Sequence, residues 1–280
     1  MIRLPIGDAV EKAVDWMTVN WAGFFGAVKW ILLWVITRFE DLFTLIPFYV
    51  VILILAVLAW KLAGRGTAVF TVVGLWIVVS IGLWTETMET LALVVTSTLI
   101  ALIIGIPLGI WMSRSETVNR VVRPILAFMQ TMPAFVYLIP AVYFFDLGMV
   151  PGAVATVIFA MPPAVRLTNL GIRQVPGDVI EAARAFGCTG NQMLFKVQIP
   201  LAMPTILAGL NQTIMLALSM VVISSMIGAE GLGITVLQGI TQLKVGEGFE
   251  GGLAVVILAM VLDRITQGFG RKDSKKLQAK

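Results

Sequence analysis

The sequence predicts an all-α polytopic membrane protein with about seven spanning helices and an N-terminal amphipathic helix. Three observations carry that reading. Apolar residues fill 59% of 280 positions and charged residues 13%, against about 25% charged in ordinary soluble domains. Mean hydropathy is +0.95. The apolar residues are gathered into segments close to the roughly 20 residues that a helix needs to cross hydrocarbon.

The first element is a tryptophan-rich stretch over residues 16–37, with Trp16, Trp21, Trp30 and Trp34, Lys29 in its middle, and Asp15, Asn20 and Arg38 at its flanks. Trp favours the headgroup level and Lys is costly at the bilayer centre. An interfacial amphipathic helix is therefore expected, with a true span as the alternative. The N-terminus has no apolar core preceded by positive charge, so no cleaved signal peptide is expected.

Seven apolar segments follow, at about 46–63, 67–84, 89–112, 124–145, 148–165, 204–226 and 251–266. Pro162 and Pro163 shorten the fifth, and the last is convincingly apolar only from Leu253 to Leu262. If the seven alternate, one side collects Lys61, Arg65, Arg114, Arg120, Arg123, Arg166, Arg173, Arg184, Lys196, Arg264 and the tail residues Arg271, Lys272, Lys275, Lys276 and Lys280. The opposite connections, 85–88, 146–147 and 227–250, hold only Lys244. The basic side is expected to be cytoplasmic, with the C-terminus on it. The expected domains are an N-terminal interfacial region (1–45), two peripheral scaffold helices (46–84), a core (85–268) containing a polar loop at 176–200, and a basic tail (269–280).

Composition also excludes function classes. Twenty Lys plus Arg against sixteen Asp plus Glu reads as a loop-orientation signal, not as a nucleic-acid patch. With no histidine and with Cys188 alone, there is no His triad, no internal disulfide and no conventional zinc, haem or iron–sulfur site. Between their ends the spans hold no Asp, Glu, Lys or Arg, which argues against a proton- or sodium-coupled carrier. No GxxxxGK[ST] loop is present, so an ATP-driven process would need a partner to bind the nucleotide.

Neutral polar groups do occur within spans: Gln130 and Thr131 before Pro133, and Asn211, Gln212, Thr213, Ser219, Ser224 and Ser225 along the sixth. Helix-to-helix hydrogen bonding and the lining of a water-filled path both account for them. Gln130, Thr131, Asn211, Ser219, Met220 and Ser224 are the candidate path residues. Phe128, Phe135, Tyr137, Tyr143, Phe144 and Phe145 could form a cage for a quaternary ammonium, but belt and packing roles are commoner for such residues. Gly105 and Gly109 flank Pro107 at GxxxG spacing, a pattern of close helix packing with a bend.

The stretch Pro176–Pro200, PGDVIEAARAFGCTGNQMLFKVQIP, is polar yet reads as ordered. Asp178 stands three residues before Glu181, the spacing of a capping box that starts a helix. Gly187 falls where a left-handed C-terminal cap is wanted, about two turns on. Val179, Ala182, Ala183 and Phe186 form one small apolar face. A helix this short is marginal alone, so the face is expected to dock on another protein, on its own chain or on lipid headgroups. Beyond the sixth span, Gly228-Ala229-Glu230-Gly231-Leu232-Gly233 is expected to be a structured turn with Glu230 exposed.

Glu181-Ala182-Ala183, three residues, Gly187, nine residues, then Val197-Gln198-Ile199-Pro200 resembles the EAA loop of bacterial ABC-importer membrane subunits, EAAxxxG followed by IxLP. Val197 and Ile199 replace the commoner Ile and Leu. The stretches QTMPAFVYLIP from Gln130, FAMPPAVRLT from Phe159 and SMVVISSMIGAEGLG from Ser219, with Leu262-Asp263-Arg264-Ile265-Thr266-Gln267, look like the glycine betaine/proline betaine permease subunit. The resemblance thus covers nearly the whole chain.

It implies a type I ABC-importer transmembrane domain for glycine betaine or related quaternary-ammonium solutes in the cell membrane. The alternatives are a choline or carnitine permease, or a membrane scaffold subunit without a solute path. It further implies two cytoplasmic ATP-binding subunits, an extracytoplasmic substrate-binding protein and a permease homodimer, with ATP and Mg used by the partner and no cofactor on this chain. Val179, Glu181, Ala182, Ala183, Phe186 and Gly187 would then form the coupling helix, capped by Asp178.

Overall fold

The computed structural model describes residues 6–278, with side chains from 7 to 269. Among them there are thirteen α-helices, one π-helical turn and no strand. The charges of the basic tail beyond residue 269 lie outside the described residues.

The N-terminal region is two helices, α1 (Ile6–Asn20) and α2 (Ala22–Leu45). Helix α2 has the 24 residues and the hydropathy that a crossing helix needs. By length and composition it therefore suits the alternative to the interfacial helix expected over 16–37, a span. Lys29 is the residue that argued against it, and its Nζ lies 2.6 Å from the Asp146 carboxylate. Leu32 and Ile36, one turn apart, are the buried residues of α2, while Trp30 and Trp34 stay exposed.

Helices α3 (Phe48–Ala63) and α4 (Arg65–Ser80) fall where the first two spans are expected. At 16 residues each they are about 24 Å long, shorter than a bilayer core of about 30 Å. Helix α5 (Trp84–Arg114) is longer than expected at 31 residues and takes Glu86 and Glu89 into its first two turns.

The fourth expected span is not one helix. It divides into α6 (Glu116–Thr131) and α7 (Ala134–Phe145), bent by 101°. Pro133 sets the break: the residue before a proline is pushed out of the helical region, and Met132 is extended at φ −70°, ψ 134°.

Helix α8 (Met149–Arg173) runs straight through Pro162 and Pro163 for eight residues beyond the expected end. Both prolines are buried, and in membrane helices neighbouring elements compensate for the hydrogen bonds that proline removes. Helix α8 is the centre of the fold, packed along α5 and along α11 (Ile199–Ser225). The glycine pair of α5 makes the first contact. A Cβ on Gly109 would lie 2.6 Å from the Val165 carbonyl oxygen and 2.7 Å from Thr168 Cβ, so only glycine lets the two backbones approach this closely.

The chain closes with α12 (Leu232–Thr241) and α13 (Val245–Gln278). The turn before α12 is ordered as expected: Gly231 has φ +110°, Leu232 N–H donates to Thr90 Oγ1 at 2.9 Å, and Glu230 is exposed. The two ends of the bundle differ in charge. Arg114, Arg173, Arg184 and Lys196 gather where α5 and α8 end, and Glu86, Glu89, Asp146 and Glu230 where they begin.

Candidate functional site

The 176–200 stretch folds as α9 (Gly177–Ala185), a short α10 (Gly190–Gln192) and a π-helical turn (Met193–Gln198) that leads into α11. Helix α9 begins earlier than the sequence spacing implies. Pro176 is its N-cap residue, and no side chain makes a capping hydrogen bond. The capping role expected of Asp178 is therefore corrected. It stands in the first turn, where a carboxylate still favours the positive end of the helix dipole. A different pair, which the sequence reading did not single out, makes such a box further along the loop. Thr189 and Gln192 form a full capping box at the start of α10, with Thr189 N–H donating to Gln192 Oε1 at 2.9 Å.

The C-terminal end of α9 is as expected. Gly187 is left-handed at φ +77°, its N–H donates to the Arg184 carbonyl at 2.9 Å and Cys188 N–H to the Ala183 carbonyl at 3.1 Å, the paired bonds of a Schellman stop. Helix α9 leans on the π-helical turn, which splits the expected apolar face. Val179 and Ala183 are half-buried against the chain, whereas Glu181, Ala182, Ala185 and Phe186 remain exposed. Phe186 is 89% exposed, and α9 contains no buried residue at all.

Two devices hold the loop to the bundle. Arg114, the last residue of α5, donates through Nη2 to the Gly190 carbonyl at 3.1 Å. The wider π-turn meets Pro200 and Pro204 at the start of α11, positions that lack an N–H for the ladder. π-turns of this kind recur at functional sites.

The candidate path residues do not gather at one surface. Gln130, Thr131 and Ser219 are exposed, the first two beside the α6–α7 bend. Met220 is fully buried against Tyr137, Leu138, Ala141 and Ala155. Ser224 is fully buried, with its hydroxyl 3.5 Å from that of Thr156 on α8. Asn211 is engaged by α13: its Nδ2 donates to Asp263 Oδ1 at 2.9 Å, and its Oδ1 accepts from Thr266 Oγ1 at 2.6 Å. Since α13 continues well past Asp263 and faces the middle of α11 there, the expectation that no span holds an ionisable group within its length is corrected. The Asp263 carboxylate also accepts from Gln267 Nε2 at 2.8 and 2.9 Å, so hydrogen bonds make its position tolerable.

The aromatic residues likewise do not converge. Tyr137 packs edge-on against Phe159, Phe144 stacks on Phe25 with centroids 4.3 Å apart, and Phe128 and Phe135 are exposed. Among the described residues no group of three His, Cys, Asp or Glu side chains is placed to hold a metal.

Residues 101–272 match the family of binding-protein-dependent transport system inner membrane components. The chain is 52% identical over 274 residues to the glycine betaine transport system permease protein OpuAB of Bacillus subtilis, covering 98% of this chain and 97% of the relative. It is 50% identical to the glycine betaine/proline betaine transport system permease protein ProW of Escherichia coli, covering 96% of this chain and 76% of the relative. Among solved structures, the inward-facing MetNI methionine ABC transporter aligns over 70% of this chain and 94% of the matched chain, with a TM-score of 0.57 at 24% identity. That likeness shows the fold.

Proposed function

The chain belongs to the family of binding-protein-dependent transport system inner membrane components, and from that premise we propose that it is the membrane-spanning permease subunit of an importer for glycine betaine and related quaternary-ammonium solutes. The relatives at 50–52% identity, named as glycine betaine permeases, support this reading of the cargo. The chain supplies the membrane passage and the mechanical link. ATP hydrolysis is assigned to two separate cytoplasmic subunits, and delivery of solute to an extracytoplasmic binding protein.

The observation that carries the mechanical link is α9. It is a nine-residue helix, stopped by Gly187, that buries none of its residues yet presents Ala182, Ala185 and Phe186 outward. Such a helix gains its stability from packing, and small side chains around one aromatic suit a groove on an ATP-binding partner. Glu181 and Arg184 frame that face with charge. The basic end of the bundle, which carries α9, is assigned to the cytoplasm, and the C-terminus with it. Movement of the partner would pass through α9 and the π-turn into α11, and through Arg114 into α5.

Two permease chains are assigned to one transporter, because two-fold association is the common closed arrangement. Gln130, Thr131 and Ser219, exposed on the isolated chain, are then the polar groups available to the passage between them. Reconstitution of the chain with its ATP-binding subunit and binding protein tests the whole reading. ATP-dependent accumulation of labelled glycine betaine is the expected result, and its absence for every quaternary-ammonium solute tried would overturn the proposal.

A further inference from the structure

A cleft of about 560 Å³ lies between α6 and α8 at the basic end of the bundle, closed on one side by Met112 of α5. Its walls are two helical stripes. Asn119, Arg123 and Ala127 recur at four-residue spacing on α6, and Arg166, Leu170 and Arg173 at three- and four-residue spacing on α8, so each set shares one face and the two sets line the same cleft.

The three guanidinium groups are not equivalent. Arg173 is committed to the fold: its Nη2 donates to Glu116 Oε2 at 2.8 Å and to the Met112 carbonyl at 3.0 Å, and its Nε to Asn169 Oδ1 at 3.0 Å. Arg123 and Arg166 make no ion pair among the described residues, although Arg166 is only partly exposed. Two uncompensated positive charges on facing walls of one concavity repel each other, and the low-dielectric walls concentrate their field on whatever enters. The arrangement calls for an anion.

We propose that this cleft binds the phosphate group of an anionic ligand, through the guanidinium groups of Arg123 and Arg166. A phosphate offers several acceptor oxygens to two planar forks, each able to make paired charge-assisted hydrogen bonds. The apolar lining points to an anionic phospholipid as the source. Leu170 is 44% exposed beside the arginines, and Ala127 is exposed on the facing helix. These surfaces serve a glycerol or acyl segment and have no use for a soluble ion. Basic pockets between membrane helices are a recurrent site for phospholipid headgroups.

The test uses the full-length chain in whatever assembly it purifies from the membrane, in mixed micelles of phosphatidylglycerol and phosphatidylcholine, with retained lipid counted by native mass spectrometry. Wild type is expected to retain phosphatidylglycerol in preference to phosphatidylcholine, and the double variant Arg123→Gln/Arg166→Gln to lose about tenfold or more of that preference. Arg120→Gln, an exposed arginine outside the cleft, should keep it, and Arg123→Lys/Arg166→Lys, which retains the charge without the paired donors, should restore only part of it. A parallel titration with inorganic phosphate separates the two sources. Phosphate binding that the double Gln variant abolishes, without any lipid preference, assigns the site to a soluble phosphate compound. The single variant Arg123→Gln, at an exposed position, provides the same readout if the double variant does not fold. Lipid retention and phosphate binding both unchanged in the Gln variants would overturn the proposal, as would an equal loss in Arg120→Gln.

Discussion

The side-chain amide of Asn211 donates to the Asp263 carboxylate at 2.9 Å, joining the middle of α11 to α13. Thr266 and Gln267 complete the arrangement from the α13 side. Asn211 thus acts as a clamp between helices, and its loss is expected to be felt first in stability. Asn211→Leu should cost about 1.5–3 kcal/mol, the range for a hydrogen bond to a charged group. Thermal unfolding of the purified protein measures it. Uptake reduced with an unchanged unfolding temperature would instead place Asn211 in the passage.

The division of the α9 face separates two substitutions that look alike in sequence. Ala182 is exposed, and Ala183 is half-buried against the chain itself. Ala182→Asp is expected to leave insertion and unfolding temperature unchanged while lowering glycine betaine uptake by about tenfold or more, because it places a charge in a close interface. Ala183→Asp should lower both uptake and stability. Wild-type uptake by Ala182→Asp, with normal stimulation of ATP hydrolysis, would remove α9 from the coupling role.

Phe186, at 89% exposure, has no packing on its own chain to lose. Phe186→Ala is expected to change the stability of the isolated chain by under about 0.5 kcal/mol, as for surface sites without special contacts. Its effect should appear as weaker retention of the ATP-binding subunit when the complex is purified.

Gly109 and Gly252 give opposite expectations for the same change. A Cβ at Gly109 meets a backbone carbonyl of α8 at 2.6 Å, whereas one at Gly252 meets nothing within 4 Å. Gly109→Ala should destabilise by about 1–3 kcal/mol through overpacking. Gly252→Ala, inside α13, should be neutral or stabilising by up to about 1 kcal/mol through helix propensity. Paired thermal melts decide the matter.

The Lys29–Asp146 pair joins α2 to the end of α7 with side chains 41% and 84% exposed. At that exposure Lys29→Met should cost no more than about 1 kcal/mol, and the cost should shrink as salt is raised. A larger, salt-independent loss would mean that the pair is shielded from water in the membrane.

Much of the fold was legible from local chemistry. Apolar runs placed α3, α4, α5, α8, α11 and α13, since a chain without water must satisfy its backbone within each helix. Gly187 fixed the end of α9 because few other residues adopt its backbone angles at low cost. Where local signals misled, a distant partner was the reason. Lys29 reads as an unpaired charge in its own neighbourhood, and only the fold brings Asp146, far along the chain, beside it. Pro162 and Pro163 argued for a short helix, yet α5 and α11 pack on both sides of the helix that contains them.

Residue types and spacing alone determined that the chain is a helical membrane protein, that its basic connections share one end, and that a short glycine-stopped helix lies at that end. These are properties of a residue and its near neighbours. The tertiary structure alone decided which face of α9 is free, that the chain turns by 101° at Pro133, that Asn211 answers to Asp263, and that Arg123 and Arg166 face one cleft. Each of these depends on which helices meet, a relation between residues that one-dimensional spacing does not encode.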